Sequence, residues 1–272
     1  SREWTVRIMH EMQMHEDTSF ITLTYDDENL PESFIRKKGG PEIPSNATLD
    51  HRDFQKFMKR LRKRIPGKKL SYYMCGEYGT HELGGIGRPH YHIILFNEAF
   101  IEDREQWRES QNNHTYFRSP LLESCWKNGH SELTDATMQT AAYVARYVLK
   151  KITGEKSHTF YSRTCLDTGE SVPVAAEYSK CSLRPAIGKD WYTKFSTDVF
   201  PSDTVIMNGN PVRSPAYYLK LLKEVSPQKH QDIHQKRIDF VRSNAKNNTK
   251  ARQDAREKIN QAKANLYKRN LA

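Results

Sequence analysis

Apolar residues along this chain follow two periods. In FITLTY (20–25), LSYYMCGEYG (70–79) and GRPHYHIILF (87–96) they alternate or run together, rich in β-branched and aromatic types, which predicts strands. The first run stops at the acidic turn DDENLP; a glycine-rich connection, THELGGIG (80–87), makes the second and third antiparallel neighbours. TLDHRDFQKFMKRLRKRIPG (48–67) instead carries Phe54, Phe57, Met58, Leu61 and Ile65 on one helical face, and Pro66 and Gly67 end it. Residues 133–153 predict a second helix starting at Thr134 or Asp135, with Met138, Ala142, Ala145, Leu149 and Ile152 as its apolar stripe. Beyond about residue 160 the pattern weakens between prolines. YYLKLL (217–222) starts a short helix, and from 228 onward the chain is helix-permissive with few apolar residues.

Composition sharpens this picture in one respect, the placement of charge. The 272 residues carry a formal +10, of which residues 48–70 hold nine Lys/Arg against two Asp and residues 228–272 hold twelve against four acids. Two basic segments on an otherwise acidic chain make nucleic acid the first partner to consider, although each alone also reads as a solvated helix face. Mean hydropathy is −0.84, and no apolar run approaches the ~20 residues that span a bilayer, so no membrane association is expected. Four dispersed cysteines without Cys-x-x-Cys spacing argue against a zinc ribbon and read as reduced thiols. The chain begins at Ser1 without a methionine and reads as a fragment or processed product.

The candidate chemistry begins in the third strand. Its alternation puts His90 and His92 on one face and Tyr91 on the other, and antiparallel pairing brings Glu77 near both imidazoles. Two histidines and a carboxylate suit a borderline divalent ion such as Mn²⁺ or Zn²⁺, with open positions for a substrate oxygen. In TAAYVARYVLKK, Tyr143 and Tyr147 are one helical turn apart, off the apolar stripe, with Lys150 and Lys151 following. A phenolate that attacks a phosphodiester forms an ester and so conserves the bond energy for rejoining. Thr22, Thr24 and Tyr25 lie within reach of the same face, but threonine in a strand is equally explained by propensity.

Taken in order, FITLTY-x-D, GRPHYH and YVARYVLKK resemble the HUH endonucleases, named for histidine–hydrophobic–histidine, with Tyr91 as the middle residue. Within them the chain is most similar to the replication initiators of gokushovirus-type microviruses. The likeness covers about residues 1–220, including CGEYG (75–79), RPAIGKDWY (184–192) and VFPSD (199–203). The resemblance implies an α+β fold with a central antiparallel sheet flanked by helices. Residues 1–205 would be the endonuclease domain and 206–272 a basic, helical extension. It further implies nicking of single-stranded origin DNA through a covalent 5′-phosphotyrosine, then strand transfer, in rolling-circle replication. Glu77, His90 and His92 would hold Mn²⁺ or Mg²⁺, Tyr143 and Tyr147 would be nucleophiles, and Lys150 and Lys151 auxiliary groups. Arg52, Lys56, Lys59, Arg60, Lys63 and Arg88 would contact DNA. Relatives carry a cysteine-rich stretch ahead of the SREW-like start. There is no P-loop, GEKS (154–157) being too short, so a host helicase and host polymerase in the bacterial cytoplasm are expected partners. The rival readings are a relaxase- or transposase-like nuclease, a non-catalytic DNA-binding protein and a structural zinc site.

Overall fold

A computed structural model of the chain describes residues 2–31, 33–36, 42–45, 47–80, 86–109, 114–150, 154–164 and 169–266. Side chains at 33–36, 42–45, 80, 86, 147–150, 156, 164 and 264–266 lie outside that description. The chain forms two compact units, Ser1–Lys194 and Phe195–Ala272.

The first unit opens with α1 (Arg2–Met12), β1 (Thr18–Tyr25), β2 (Ser33–Arg36), β3 (Glu42–Ser45) and α2 (His51–Arg64). Next come β4 (Ser71–Thr80), β5 (Ile86–Phe96), β6 (Glu105–Glu109), β7 (Thr115–Arg118), α3 (Pro120–Cys125), β8 (Gly129–Asp135) and α4 (Met138–Lys150). It closes with α5 (Lys156–Phe160), β9 (Ser162–Thr164), β10 (Ser171–Pro173), β11 (Tyr178–Cys181) and the start of α6 (Lys189–Val199). Seven strands make one sheet in the order β11-β4-β5-β1-β8-β7-β6, with every pairing antiparallel. The fold is therefore α+β, with the expected central antiparallel sheet.

Strand alternation gives the sheet two apolar faces. Ile21, Leu23, Tyr91, Ile93 and Leu95 pack with Phe54, Phe57, Met58 and Leu61 of α2. Phe20, Tyr73, Cys75, Ile94 and Phe96 pack with Ile8 of α1 and with Ala141, Val144 and Ala145 of α4. Burial of each large side chain contributes about 1.5–3 kcal/mol, so both helix layers are held firmly. Asp50 caps α2 by accepting from the Arg52 amide at 2.8 Å. Where β4 and β5 come closest, a Cβ on Gly87 would meet the Gly79 carbonyl oxygen at 2.4 Å, and only glycine allows that approach.

Two expectations need correction. Residues 129–135 are not helix: they form β8 and pair along β1, Leu133 opposite Ile21. Leu133 belongs to a period-two pattern facing α2, and the helix starts only after Thr137 and Thr140 exchange reciprocal side-chain-to-amide bonds at 2.8 and 3.2 Å. The buried face of α4 is Thr140, Ala141, Val144 and Ala145 rather than the stripe through Met138 and Ala142, both only half-buried. The Leu149 side chain and Ile152 lie outside the described residues.

The second unit contains the rest of α6, the hairpin β12 (Thr204–Met207) and β13 (Asn210–Arg213), α7 (Ala216–Val225), α8 (Pro227–Ser243) and α9 (Lys250–Leu266). Tyr218, Leu222, Ile233 and Val205 are its buried apolar residues with Val199 and Phe200. Asp203 ties the unit together: it accepts from Arg237 at 2.7 and 2.8 Å and from the Ser214 hydroxyl at 2.6 Å. Among the described residues no helix is long and apolar enough to cross a membrane.

Candidate active site

Glu77 faces His90 across the β4–β5 ladder, and Cys75 faces His92, so the three candidate ligands share the sheet face that α4 covers. The Glu77 Oε1 atom stands 3.0 Å from His90 Nε2 and 2.8 Å from His92 Nε2. Glu77 is 2 % exposed and His92 8 %, so these polar groups face one another in a water-poor setting.

The far side of each ring fixes what it presents to the cluster. His90 Nδ1 lies 3.1 Å from the Arg88 carbonyl oxygen, which can only accept, so Nδ1 carries the proton and Nε2 presents a lone pair. His92 Nδ1 is 3.1 Å from the Thr22 hydroxyl, which can accept its proton in the same way. Phe20 stacks on the His92 ring at 5.2 Å and holds its plane. Lone pairs of a carboxylate and two imidazoles converging within 4.8 Å require a proton or a cation among them. Donors bound to one ion at about 2.1 Å lie roughly 3–4 Å apart, so the cluster fits a divalent metal.

Electrostatics agree. Burial pushes the Glu77 carboxyl up, but the hydrogen bonds and charge of His90 and His92 outweigh it and bring it to about 2. Burial holds His92 below the usual imidazole value, which keeps it neutral and able to ligate.

Tyr143 completes the arrangement. Its hydroxyl is 3.4 Å from Glu77 Oε1 and 3.4 Å from His92 Nε2, and its ring meets His92 edge-on at 5.2 Å. The alanines seat α4 close enough to the sheet for this reach. Tyr91, although between the two histidines in sequence, points to the opposite core, where its hydroxyl donates to the Asp50 carbonyl at 2.8 Å. Burial, with Tyr25 beside it, drives its phenol far above the ordinary range, so it is a structural residue.

The other expected site residues fall elsewhere. Tyr147 and Lys150 lie on the described backbone of α4 with their side chains outside the description, and Lys151 lies outside the described residues. Arg52, Lys56, Lys59, Arg60 and Lys63 are on α2, across the sheet from the histidines. Lys56 bonds Asp53 at 3.2 Å and Arg60 the Cys125 carbonyl at 3.2 Å. Arg88 sits at the start of the histidine strand, bonded to the Tyr25 carbonyl at 2.9 Å and to Asp27. Sequence reading passed over the role of Thr22, whose only signal was its place in the first strand, opposite His92.

A family model for the replication-associated protein ORF2/gene 2 protein matches residues 18–152, the stretch from β1 through α4 that holds the whole cluster. The chain is 29% identical over 239 residues to the replication-associated protein VP4 of Bdellovibrio phage phiMH2K, covering 84% of this chain and 65% of that protein. It is 28% identical over 233 residues to the replication-associated protein ORF4 of Chlamydia phage 1, covering 83% and 51%. With the replication-associated protein ORF2 of Spiroplasma virus 4 it shares 29% over 213 residues, covering 76% and 58%. The chain thus spans between about half and two thirds of the length of these curated relatives. No solved structure matches it. With its sheet, histidine pair and tyrosine helix all inside the matched segment, the chain belongs to the replication-associated protein ORF2/gene 2 protein family.

Proposed function

We propose that this protein is a metal-dependent endonuclease that nicks single-stranded DNA at a phage replication origin and later rejoins the strand. The observation that carries this reading is the Tyr143 hydroxyl, 3.4 Å from both Glu77 and His92. A nucleophile that close to the ligands can reach a phosphate held beside them. Glu77, His90 and His92 would hold Mn²⁺ or Mg²⁺, which when bound would draw charge from the scissile phosphate.

In the reaction the Tyr143 oxygen attacks phosphorus, the bond from phosphorus to the 3′ oxygen breaks, and the phenol proton is exchanged through solvent to the departing 3′ oxygen. The products are a 5′-phosphate ester on Tyr143 and a free 3′ hydroxyl able to prime synthesis. One ester replaces another, so attack by a 3′ hydroxyl reverses the step. Tyr147, one turn (about 5.4 Å) further along α4, would cut a second strand while Tyr143 holds the first. Lys150 and Lys151 follow as auxiliary cations, and Arg88 and the basic face of α2 would add phosphate contacts. Residues 1–205 would carry the chemistry and 206–272 extend the DNA-binding surface, with host helicase and polymerase acting in the host cytoplasm.

The test is a denaturing gel with labelled single-stranded origin DNA from the same replicon. With Mn²⁺ the expected product is a band shifted by the protein's mass and resistant to SDS, absent with EDTA. Tyr143→Phe combined with Tyr147→Phe should abolish the band and leave DNA binding nearly intact. An adduct that survives both substitutions sinks the nucleophile assignment. Binding with no adduct under any metal would make the chain a DNA-binding module.

A further inference from the structure

Beside the histidine cluster, on the same sheet face, Thr22, Thr24, Trp107, Arg118, His130 and Glu132 line an open hollow of about 310 Å³. Trp107 stands on the edge strand β6 at a register shift and is 57 % exposed. A large apolar ring on an exposed sheet edge is a liability that folds normally avoid. Here the ring is also held in place: the Arg118 guanidinium lies 4.9 Å over its centre. Glu132, which would otherwise repel an anion, is engaged by Arg108 through two bonds at 3.1 and 2.9 Å.

The hollow is continuous with the candidate metal centre. Thr22 forms its near wall and is the residue that bonds His92, while Thr24 lies opposite His90. The strands β5, β1, β8 and β7 are successive neighbours, so at about 4.8 Å per strand the hollow starts about 5 Å from the ligand strand and ends about 14 Å away. An exposed tryptophan under an arginine, with hydroxyls and an imidazole on the floor, is the chemistry that grips an unpaired nucleotide: a ring for the base and a cation for the phosphate.

We propose that this hollow is a binding subsite for one unpaired DNA nucleotide flanking the scissile phosphate, its base stacked on Trp107 and its phosphate held by Arg118. The inference rests on the nuclease reading for its choice of DNA, but its test does not depend on cleavage. Affinity is measured by fluorescence anisotropy in EDTA, with a labelled oligothymidylate of about twelve nucleotides and an abasic strand of the same length. Trp107→Ala should lower affinity for the oligothymidylate about 5- to 150-fold and leave affinity for the abasic strand unchanged; Trp107→Phe should stay within about 3-fold of the parent. Arg118→Ala should weaken both strands. Circular dichroism checks that each variant is folded. If Trp107→Ala binds both strands as the parent does, or loses both equally, the subsite is wrong. Loss of base preference in a protein that never forms the covalent band would keep the subsite and overturn the nuclease. A covalent band with unchanged Trp107→Ala binding would do the reverse.

Discussion

At the residue scale, the candidate site depends on which nitrogen each imidazole turns inward, and atoms outside the cluster decide that. Thr22 holds His92 Nδ1 and the Arg88 carbonyl holds His90 Nδ1. Thr22→Val removes that bond without changing volume greatly, so Mn²⁺ affinity by calorimetric titration should fall about 10- to 100-fold. Unchanged affinity would mean that stacking by Phe20 alone orients the ring. The ligands themselves were legible in the sequence, because period-two alternation and antiparallel pairing bring Glu77, His90 and His92 together. Thr22 was not legible, since strands favour threonine for reasons unrelated to any site. A different histidine governs pH response. His10, stacked on Trp191 at 3.5 Å, is lowered by burial from 6.5 to about 4. Below pH 6.5 the unfolded chain takes a proton that folded His10 refuses, so stability falls between pH 6.5 and about 4, by about 3 kcal/mol in all. His92, shifted the same way, adds to the loss, whereas Glu77 begins to contribute only below 4.5. Urea unfolding across this range should show the slope, and His10→Phe should flatten it; an unaltered slope would exclude His10 as its source.

At the element scale, the fit of α4 to the sheet sets the reach of Tyr143. Ala141, Val144 and Ala145 are fully buried against Phe20, Ile94 and Cys75, and small residues there let the helix sit low. Ala145→Leu should cost about 1–3 kcal/mol by overpacking. It should also lift Tyr143 from His92, reducing adduct formation more than DNA binding, as the gel and anisotropy assays would read. Equal losses in both would point to general unfolding. The helix and its tyrosines were legible from spacing, but its start was not. A short strand holding Leu133 and Thr134 merges with the following helix when only apolar residues are counted, and pairing with β1 decides between them. The β6–β7 edge escaped for a related reason: β6 is exposed along its whole length, so no apolar alternation marks it.

At the scale of the molecule, the sheet acts as a wall. The cluster and α4 lie on one side and α2 on the other, with Arg52, Lys56, Lys59 and Lys63 exposed there. Charge totals read from sequence could locate this basic helix but not its side, which depends on the order of the strands. DNA that reaches both faces must pass an edge, and the lysines of α2 then add affinity without touching the reacting phosphate. Replacing Lys56, Lys59 and Lys63 together by Gln should lower the slope of log K against log salt by up to about 2. Adduct yield at saturating DNA should stay as in the parent; an unchanged slope would remove α2 from the DNA-binding surface. The histidine strand carries a last consequence for how such a protein can change. Residues 91, 93 and 95 of β5 serve one core while 90 and 92 serve the chemistry. A single codon gained or lost inside that strand would exchange the two sets at a stroke, sending imidazoles among aliphatic neighbours and aliphatics to the cluster. Lineages can therefore vary the turn before β5 far more freely than its reading frame, and foldability and catalysis are inherited there as one trait.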